Sequence, residues 1–397
     1  MYLPTHMLPR LFSRLPARFS SCLLPLLLLC IGANPACAAD PYPKDTVLHL
    51  NQMQVLGTHN SYHPEPPTGP ALEVLRGSYP ELAEIVNYRH PTLTQQLDLG
   101  VRQFELDVWS DPQGGNYAYR PLYAKVGANP DTGSAALRAP GLKVLHIAQV
   151  DAQSSCLTLE ECLGQLKRWS DAHPRHVPLM VMIEIKDLDF FATRYLPMKP
   201  WQAADYDALD AEIRSVLPPD RLITPDDVQG QYPTLREAVL AGAWPTLAQS
   251  RGKFLFTGCN CIAGDRQHRD YLRADGSLRG RVLFPNTSPD RADAAFVLMD
   301  DPVRHEADIR RLVSQGFIVR TRSDANTVEA RHNDYRRAEK AFASGAQFVS
   351  TDYEVPDTTI NPTFRIAVPG GTPARCNPVN APAGCQATDI ERPDALK

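Results

Sequence analysis

The sequence lacks several patterns that would assign it to a common class of protein. No glycine-rich phosphate loop follows the first strand-like segment, which argues against a nucleotide-binding fold. The histidine and cysteine spacings match no zinc site. A net charge of −4 at pH 7 gives no general reason to bind nucleic acid or an anionic membrane. We also find no internal repeat and no low-complexity tract.

Long apolar segments are scarce, and the one strongly apolar run lies near the N-terminus. Cys22 to Ile31 is too short to span a bilayer comfortably, and no later segment is long and apolar enough. Arginines precede this run and the small residues Ala36-Cys37-Ala38 follow it, which is typical of a signal peptide. We expect residues 1–39 to be removed and the mature protein to be exported. An N-terminal membrane anchor is the alternative.

Export would place the remaining cysteines in an oxidising compartment. Six cysteines follow the expected signal peptide: Cys156, Cys162, Cys259, Cys261, Cys376 and Cys385. An even number of cysteines in an exported chain favours disulfides. The first two and the last two are close enough in sequence to pair locally. The middle two are separated by one residue, which is an awkward loop to close, so their pairing stays open.

Apolar strand-like runs alternate with segments of helical periodicity over most of the chain. We expect about eight strands: Val55–Thr58, Val101–Val108, Lys143–His146, Leu179–Ile185, Lys253–Thr257, Ala295–Met299, Phe317–Thr321 and Gln347–Ser350. This alternation predicts an α/β fold, a single (β/α) barrel of the TIM type over residues 40–397, with long rim loops and a C-terminal tail from about residue 356. A doubly wound open sheet is the alternative.

Polar side chains stand at the ends of these runs. His59 and Asn60 follow the first strand, where barrel and open-sheet folds place their chemistry, although a lone histidine is more often structural. Glu105 and Asp107 are two residues apart, so both side chains point to one side of a strand. Adjacent like charges raise each other's pKa, and a hard cation such as Ca²⁺ or Mg²⁺ would relieve the repulsion. Ion pairs with arginines such as Arg102 or Arg120 are the alternative.

Two further strand ends carry groups suited to the same chemistry. Glu184 ends a strand next to Lys186 on the same face, either as a third carboxylate of the site or as an ion pair along the rim. The amide carbonyl of Asn60 would complete a set of oxygen ligands. His146 ends another predicted strand, and with His59 it makes a natural general base and general acid.

These motifs resemble those of a known enzyme family. The segments Leu56-Gly57-Thr58-His59-Asn60-Ser61-Tyr62 and Phe104-Glu105-Leu106-Asp107-Val108-Trp109, with His146, are similar to the calcium-dependent phosphoinositide phospholipases C of bacteria. That family in turn resembles the catalytic barrel of the eukaryotic enzymes. The resemblance covers Leu50 to about Asp352, most of the expected mature chain.

The resemblance implies cleavage of phosphatidylinositol, with the inositol 2-hydroxyl as internal nucleophile. It implies that Ca²⁺ is held by Asn60, Glu105, Asp107 and Glu184, the last of which could take the hydroxyl proton. His59 would stabilise the developing charge and His146 would protonate the leaving oxygen. The expected substrate-binding residues are Lys186, Arg320, Arg322 and Asp352, although ion pairs of the arginines with Asp324 or Glu329 are equally consistent with the sequence. We expect a monomer acting on phospholipid at a membrane surface.

Three other functions stay open at this point. Glycerophosphodiester phosphodiesterases share the barrel and the Glu-x-Asp pair, but they begin with His-Arg-Gly, where this chain has His59-Asn60-Ser61. Metal-independent phosphoinositide phospholipases place an arginine where the metal would lie, and Glu105 and Asp107 argue against that. A barrel that binds inositol lipids or sugars without cleaving them is the third.

Overall fold

The architecture is described from a computed structural model, which describes residues 40–187, 200–259 and 265–397. The expected signal peptide, residues 1–39, and Cys261 lie outside the described residues. Within them the strands are β1 Met53–Thr58, β2 Gln103–Trp109, β3 Lys143–Val144, β4 Leu179–Lys186, β5 Leu222–Ile223, β6 Phe254–Cys259, β7 Leu283–Pro285, β8 Phe296–Leu298, β9 Ile318–Arg322, β10 Phe348–Thr351 and β11 Ala374–Cys376.

Helices cover the outside of the sheet. They are α1 Gly69–Ser78, α2 Pro80–Ile85, α3 Leu93–Asp98, α4 Ala135–Arg138, α5 Leu159–Ala172, α6 Ala203–Val216, α7 Pro225–Gln229, α8 Leu235–Leu240, α9 Leu247–Ser250, α10 Asp265–Tyr271, α11 Pro302–Ser314, α12 Val328–His332, α13 Arg336–Ala343 and α14 Ala387–Ile390. Several helices begin at a threonine or serine whose hydroxyl accepts a backbone N–H of the first turn. At the start of α5, for example, the hydroxyl of Thr158 accepts the N–H of Glu161. No helix in the described ranges is long and apolar enough to cross a membrane.

The parallel strands form a ring. The hydrogen-bonded order is β6-β4-β2-β1-β10-β9-β8, and β7 pairs with the other side of β6. A parallel bridge from Asn286, the residue after β7, to Phe296 of β8 closes the ring. Every one of these pairings is parallel, and the strands are buried almost throughout, as expected when helices cover a barrel on the outside. The predicted TIM-type barrel is confirmed.

One predicted barrel strand is wrong. The run at 143–146 forms only the two-residue β3, which pairs antiparallel with the end of β2 and lies outside the ring. β7 takes part in the ring instead, and its three residues are too few to show a period in the sequence. The long excursion after β1, expected as a rim loop, contains α1 and α2.

The C-terminal segment is tied to the barrel. β11 pairs antiparallel with β1, whereas β10 pairs parallel with it. Farther on, Glu391 is buried in an ion pair with Arg102, at 2.6 Å between Oε1 and Nη2. The predicted disulfides Cys156–Cys162 and Cys376–Cys385 are both present. The second of them staples the turn that follows β11.

Candidate active site and metal centre

The predicted site residues meet at one edge of the ring. In the parallel register Asp107 of β2 lies beside Glu184 of β4. Thr58 of β1 lies beside Thr351 of β10, so the residues that follow them, His59 and Asp352, become neighbours although they are 293 positions apart. The carboxyl ends of the strands therefore gather side chains from the whole length of the chain, as in other barrels of this type.

Asn60 occupies a strained position directly after β1. Its φ is 47°, in the left-handed region that non-glycine residues seldom adopt and that asparagine tolerates best. The side chain is buried, and its Nδ2 donates to the hydroxyl oxygen of Tyr88 at 2.7 Å. Its carbonyl oxygen Oδ1 is buried without a hydrogen-bond partner among the described residues. An orphaned buried carbonyl is costly, and a hard cation would satisfy it.

Three carboxylates converge at the same edge. Glu105, Asp107 and Glu184 each offer one oxygen, and these oxygens lie within 4.8 Å of one another. Burial raises the pKa of Glu105 to about 7, although the guanidinium of Arg320 opposes the rise. Burial also raises the pKa of Asp107 well above its usual range, against the opposing charge of Lys186. Closely spaced oxygen donors whose ionisation is disfavoured are suited to a divalent cation such as Ca²⁺, and the residues present fit that ion.

Two cations accompany the carboxylates. The Nζ of Lys186 lies 2.8 Å from Asp107 Oδ2 and 2.7 Å from Glu184 Oε1. Burial alone would lower the pKa of Lys186, but these two carboxylates raise it, so the ammonium stays charged. Arg320 contacts Glu105 through Nη2 and donates from Nε to Ser350 at 2.8 Å. Neither arginine named as an alternative partner pairs with Glu105 or Asp107 among the described residues. Arg102 is paired with Glu391 instead, and no described ion pair joins Arg120 to either carboxylate.

His59 forms a pair with Asp352. The distance from Nδ1 to Oδ1 is 2.9 Å, and the other carboxylate oxygen of Asp352 accepts from Arg322 at 2.8 Å. Burial lowers the pKa of His59 well below its usual value, and the guanidinium groups of Arg322 and Arg320 lower it further. The lowered pKa favours the neutral imidazole, and 19% of its side chain stays exposed. Among the described residues, Arg320 thus pairs with Glu105 and Arg322 with Asp352, and neither forms an ion pair with Glu329 of α12.

A second buried pair supports His59 from behind. His90 Nδ1 lies 2.9 Å from a carboxylate oxygen of Glu354, and its Nε2 donates to the backbone carbonyl of His59 at 2.8 Å. Burial alone would lower the pKa of His90, but Glu354 raises it above its usual value, which favours the charged ring. Asp324 supports Asp352, the partner of His59, because its Oδ1 accepts the backbone N–H of Asp352 at 2.9 Å.

His146 is held by a different network. It lies two residues beyond the short β3 and not at the end of a barrel strand. Its Nδ1 is 2.7 Å from Oδ2 of Asp151, and Oδ1 of the same carboxylate is 2.7 Å from Nε2 of His63. Burial alone would raise the pKa of Asp151, but the two histidines hold it well below its usual range. His146 is 18% exposed on the side chain, much like His59.

The structure brings together most of the predicted site and adds residues that no sequence pattern indicated. Glu105, Asp107 and Glu184 form one set of contacts with Lys186 and Arg320, and His59, Asp352 and Arg322 form a second. The charges of Arg320 and Arg322 both lower the pKa of His59, so the two sets are neighbours. The added residues lie in loops without strand or helix periodicity: Tyr88, His63, Asp151, His90 and Glu354. The spacing of five between His146 and Asp151 was visible in the sequence, but nothing there separated Asp151 from the other loop aspartates.

A family model agrees with this geometry. The model described as phosphoinositide phospholipase C, Ca²⁺-dependent, matches residues 48–378, which is more than half of the chain. The match contains every residue of the candidate site. No curated protein gives a significant match.

Solved structures of bacterial enzymes have a similar fold. A calcium-dependent phosphoinositol-specific phospholipase C from a Gram-negative Pseudomonas species, in its apo form, gives a TM-score of 0.50 at 16% identity, over 84% of this chain and 97% of that one. Its myo-inositol complex gives 0.50 at 17% identity, with the same coverage. A Ca²⁺-dependent phosphatidylinositol-specific phospholipase C from Streptomyces antibioticus gives 0.48 at 20% identity, over 77% of this chain and 95% of that one. At these identities the Pseudomonas likeness shows the barrel fold.

Proposed function

The chain belongs to the Ca²⁺-dependent phosphoinositide phospholipase C family, and from this premise we propose that it cleaves phosphatidylinositol to diacylglycerol and a cyclic inositol phosphate. The observation that carries the proposal is one site that combines three converging carboxylates with two separate histidine–aspartate pairs. A metal site alone would suit a binding protein. Two partly exposed histidines, each held by a buried carboxylate, are what proton transfer requires.

The proposed metal ligands are Asn60, Glu105, Asp107 and Glu184. The orphaned Oδ1 of Asn60 and the raised pKa of the two buried carboxyl groups support this set. Bound Ca²⁺ would lower the pKa of a coordinated hydroxyl and offset negative charge on the phosphoryl oxygens. Lys186 would then be displaced from at least one carboxylate, and its ammonium would be available to a phosphoryl oxygen.

The two histidines would divide the proton transfers. His59 was expected to stabilise charge and Glu184 to take the hydroxyl proton, but the lowered pKa of His59 favours a neutral ring that accepts the proton of the inositol 2-hydroxyl as that oxygen attacks phosphorus. Asp352 would stabilise the imidazolium that forms. The P–O bond to glycerol breaks in the same displacement, and His146 would donate a proton to the departing oxygen. The adjacent hydroxyl of the same ring supplies the nucleophile at high effective concentration.

The remaining predicted residues would hold the substrate. We propose that Arg320 and Arg322 face the ring and its phosphoryl group, since both lie at the end of β9 and each guanidinium is held by a carboxylate. Asp352 was expected to bind the ring directly, and its contacts with His59 and Arg322 favour an orienting role instead. Export is part of this proposal, because both described disulfides fit an oxidising compartment. A monomer with its rim loops against the membrane surface is the proposed working form.

The experiment is headgroup release from phosphatidylinositol vesicles, with product identity read by ³¹P NMR. We expect a cyclic phosphodiester, no reaction in chelator, recovery on adding Ca²⁺, and no cleavage of a 2-O-methyl inositol analogue. Undiminished activity in chelator would contradict the metal site. Efficient hydrolysis of glycerophosphocholine or of the 2-O-methyl lipid would indicate attack by water and a glycerophosphodiester phosphodiesterase. Calcium-dependent binding of inositol lipid without turnover would indicate a binding protein.

A further inference from the structure

Two buried aromatic rings lie between the candidate metal ligand Asn60 and the second histidine. Tyr88 and His63 stack with their ring centroids 4.6 Å apart and an interplanar angle of 29°. Both side chains belong to the excursion after β1. Among the described residues their side-chain hydrogen bonds go to Asn60, to Asp151 and to the Tyr88 carbonyl, and not to the converging carboxylates. We call this pair the Tyr88–His63 stack. Its two ends make polar contacts in opposite directions.

At one end the stack holds the nitrogen of the Asn60 amide. The hydroxyl oxygen of Tyr88 accepts from Nδ2 of Asn60 at 2.7 Å. An amide has one donor and one acceptor end, so fixing Nδ2 on the hydroxyl directs Oδ1 away from it. Oδ1 is the buried atom without a hydrogen-bond partner. After a rotation of the amide by 180° the Tyr88 hydroxyl would donate to Oδ1 instead, and the N–H groups of the amide would face the proposed cation. The orientation in the structure is the one that leaves Oδ1 for the cation while Nδ2 keeps its bond to the hydroxyl.

At the other end the stack holds the carboxylate beneath His146. Nε2 of His63 is 2.7 Å from Oδ1 of Asp151, and Nδ1 is 3.1 Å from the backbone carbonyl oxygen of Tyr88. A carbonyl oxygen only accepts, so Nδ1 of His63 must carry a hydrogen. Donation from Nε2 to one oxygen of Asp151 leaves the other, at 2.7 Å, to accept from Nδ1 of His146. That bond leaves Nε2 of His146 as the free ring nitrogen.

We propose that the Tyr88–His63 stack positions both halves of the reaction: Tyr88 directs the carbonyl oxygen of Asn60 to the metal, and His63 fixes His146 through Asp151. The inference rests on the proposed function, because it assumes that Asn60 binds Ca²⁺ and that His146 transfers a proton. Tyr88 and His63 are positioning residues, since neither contacts the reacting atoms. Partners of this kind, behind the ligands themselves, typically change metal affinity by 10- to 100-fold.

The Tyr88 half is tested with Tyr88→Phe, which keeps the stacked ring and removes only the hydroxyl. We expect the Kd for Ca²⁺, measured by isothermal titration calorimetry on chelator-treated protein, to rise about tenfold. At saturating Ca²⁺ the kcat should stay within about threefold of the wild type. The matched control is Tyr271→Phe, which removes another buried hydroxyl. That hydroxyl donates to Asp210 at 2.9 Å and accepts from the backbone N–H groups of Val282 and Leu283, none of which belongs to the proposed site. An unchanged Kd in Tyr88→Phe would overturn this half.

The His63 half is tested with two amides of different length. In His63→Gln the amide nitrogen takes the place of Nε2 and can still donate to Asp151, whereas in His63→Asn it takes the place of Nδ1 and reaches only the Tyr88 carbonyl. We expect kcat to fall about tenfold or more in His63→Asn and to stay within about threefold in His63→Gln, with Kd for Ca²⁺ little changed in both. Equal kcat in the two variants would overturn this half. If His63→Asn does not fold, a kcat of His63→Gln reduced by more than tenfold would overturn it.

Asn60→Ala separates failure of this inference from failure of the proposed function. A wild-type protein that binds no Ca²⁺ would contradict the proposed metal site. An Asn60→Ala variant with wild-type Kd would reject Asn60 as a ligand and with it the proposed set of four. A weakened Kd in Asn60→Ala with an unchanged Kd in Tyr88→Phe would keep the metal site and reject the role of Tyr88.

Discussion

Replacement of Asp352 by asparagine measures how much the charge of this residue contributes to catalysis. The side chain is 2% exposed and its Oδ1 lies 2.9 Å from Nδ1 of His59. Asparagine keeps an acceptor oxygen at that place, so the hydrogen bond and the ring orientation can persist while the negative charge is lost. The variant therefore separates charge stabilisation from positioning.

The magnitude follows from the geometry of the pair. With charge centres about 4 Å apart and an effective dielectric constant of about 20, a carboxylate stabilises an imidazolium by about 4 kcal/mol. This is an upper value, because the bond from Arg322 to the other oxygen of Asp352 offsets part of the charge. Since 1.36 kcal/mol corresponds to a tenfold change in rate, we expect kcat of Asp352→Asn to fall by about 10²- to 10³-fold.

The assay is steady-state cleavage of a short-chain soluble phosphatidylinositol at saturating Ca²⁺, with thermal unfolding measured in parallel. Asp357→Asn is the matched control, because it removes a carboxylate paired with Arg89 at 3.0 Å that does not touch His59. We expect the control to keep its kcat. A folded Asp352→Asn variant with kcat within threefold of the wild type would refute the argument that His59 gains charge during the reaction.

Three further predictions concern metal, packing and pH. Ca²⁺ at 100 times its Kd should stabilise the fold by about 2.7 kcal/mol, seen as a rise in Tm that Asp107→Asn abolishes; an equal rise in the variant would contradict the metal site. Arg102→Met leaves Glu391 buried without its cation, so urea unfolding should show a loss of about 3–5 kcal/mol, and adding Glu391→Met should recover much of it if the ion pair is the cause. Burial lowers the pKa of His176 from 6.5 to about 4 on folding. Because the folded value is the lower one, the unfolded chain binds the proton first as the pH falls. The neutral ring therefore contributes about 3 kcal/mol to the free energy of unfolding above pH 6.5, and this contribution is lost as the pH falls toward 4. The free energy of unfolding of His176→Asn should lack that part of the pH dependence, and an unchanged profile would contradict it.

Local sequence patterns predicted the elements whose formation depends on near neighbours. The helix α5 has apolar residues at helical spacing and a threonine cap in the sequence itself, because a 3.6-residue period and a cap depend on residues within a few positions. Glu105 and Asp107 were expected on one face for the same reason, since side chains alternate along a strand. The short disulfide loops also formed as predicted.

The strand predictions failed where pairing, and not periodicity, decides the structure. The apolar run at 143–146 looks like a barrel strand, but its backbone groups pair antiparallel with the end of β2. The ring takes β7 in its place, and a single bridge from Asn286 to Phe296 completes it. Which short segment closes a barrel depends on the space left by the other strands, and no local pattern contains that information.

The sequence by itself determined the barrel class, the order of the motifs and the residue types offered to the metal, because each is recorded in a short segment. Only the tertiary structure decided the partners. Asp352 reaches His59 because β1 and β10 are adjacent in the ring, and His63, Tyr88 and Asp151 become one network because a loop folds back over the strand ends. Hydrogen bonds and close ion pairs form when two heavy atoms are about 3 Å apart. Residues hundreds of positions apart come that close only once the ring of strands has closed.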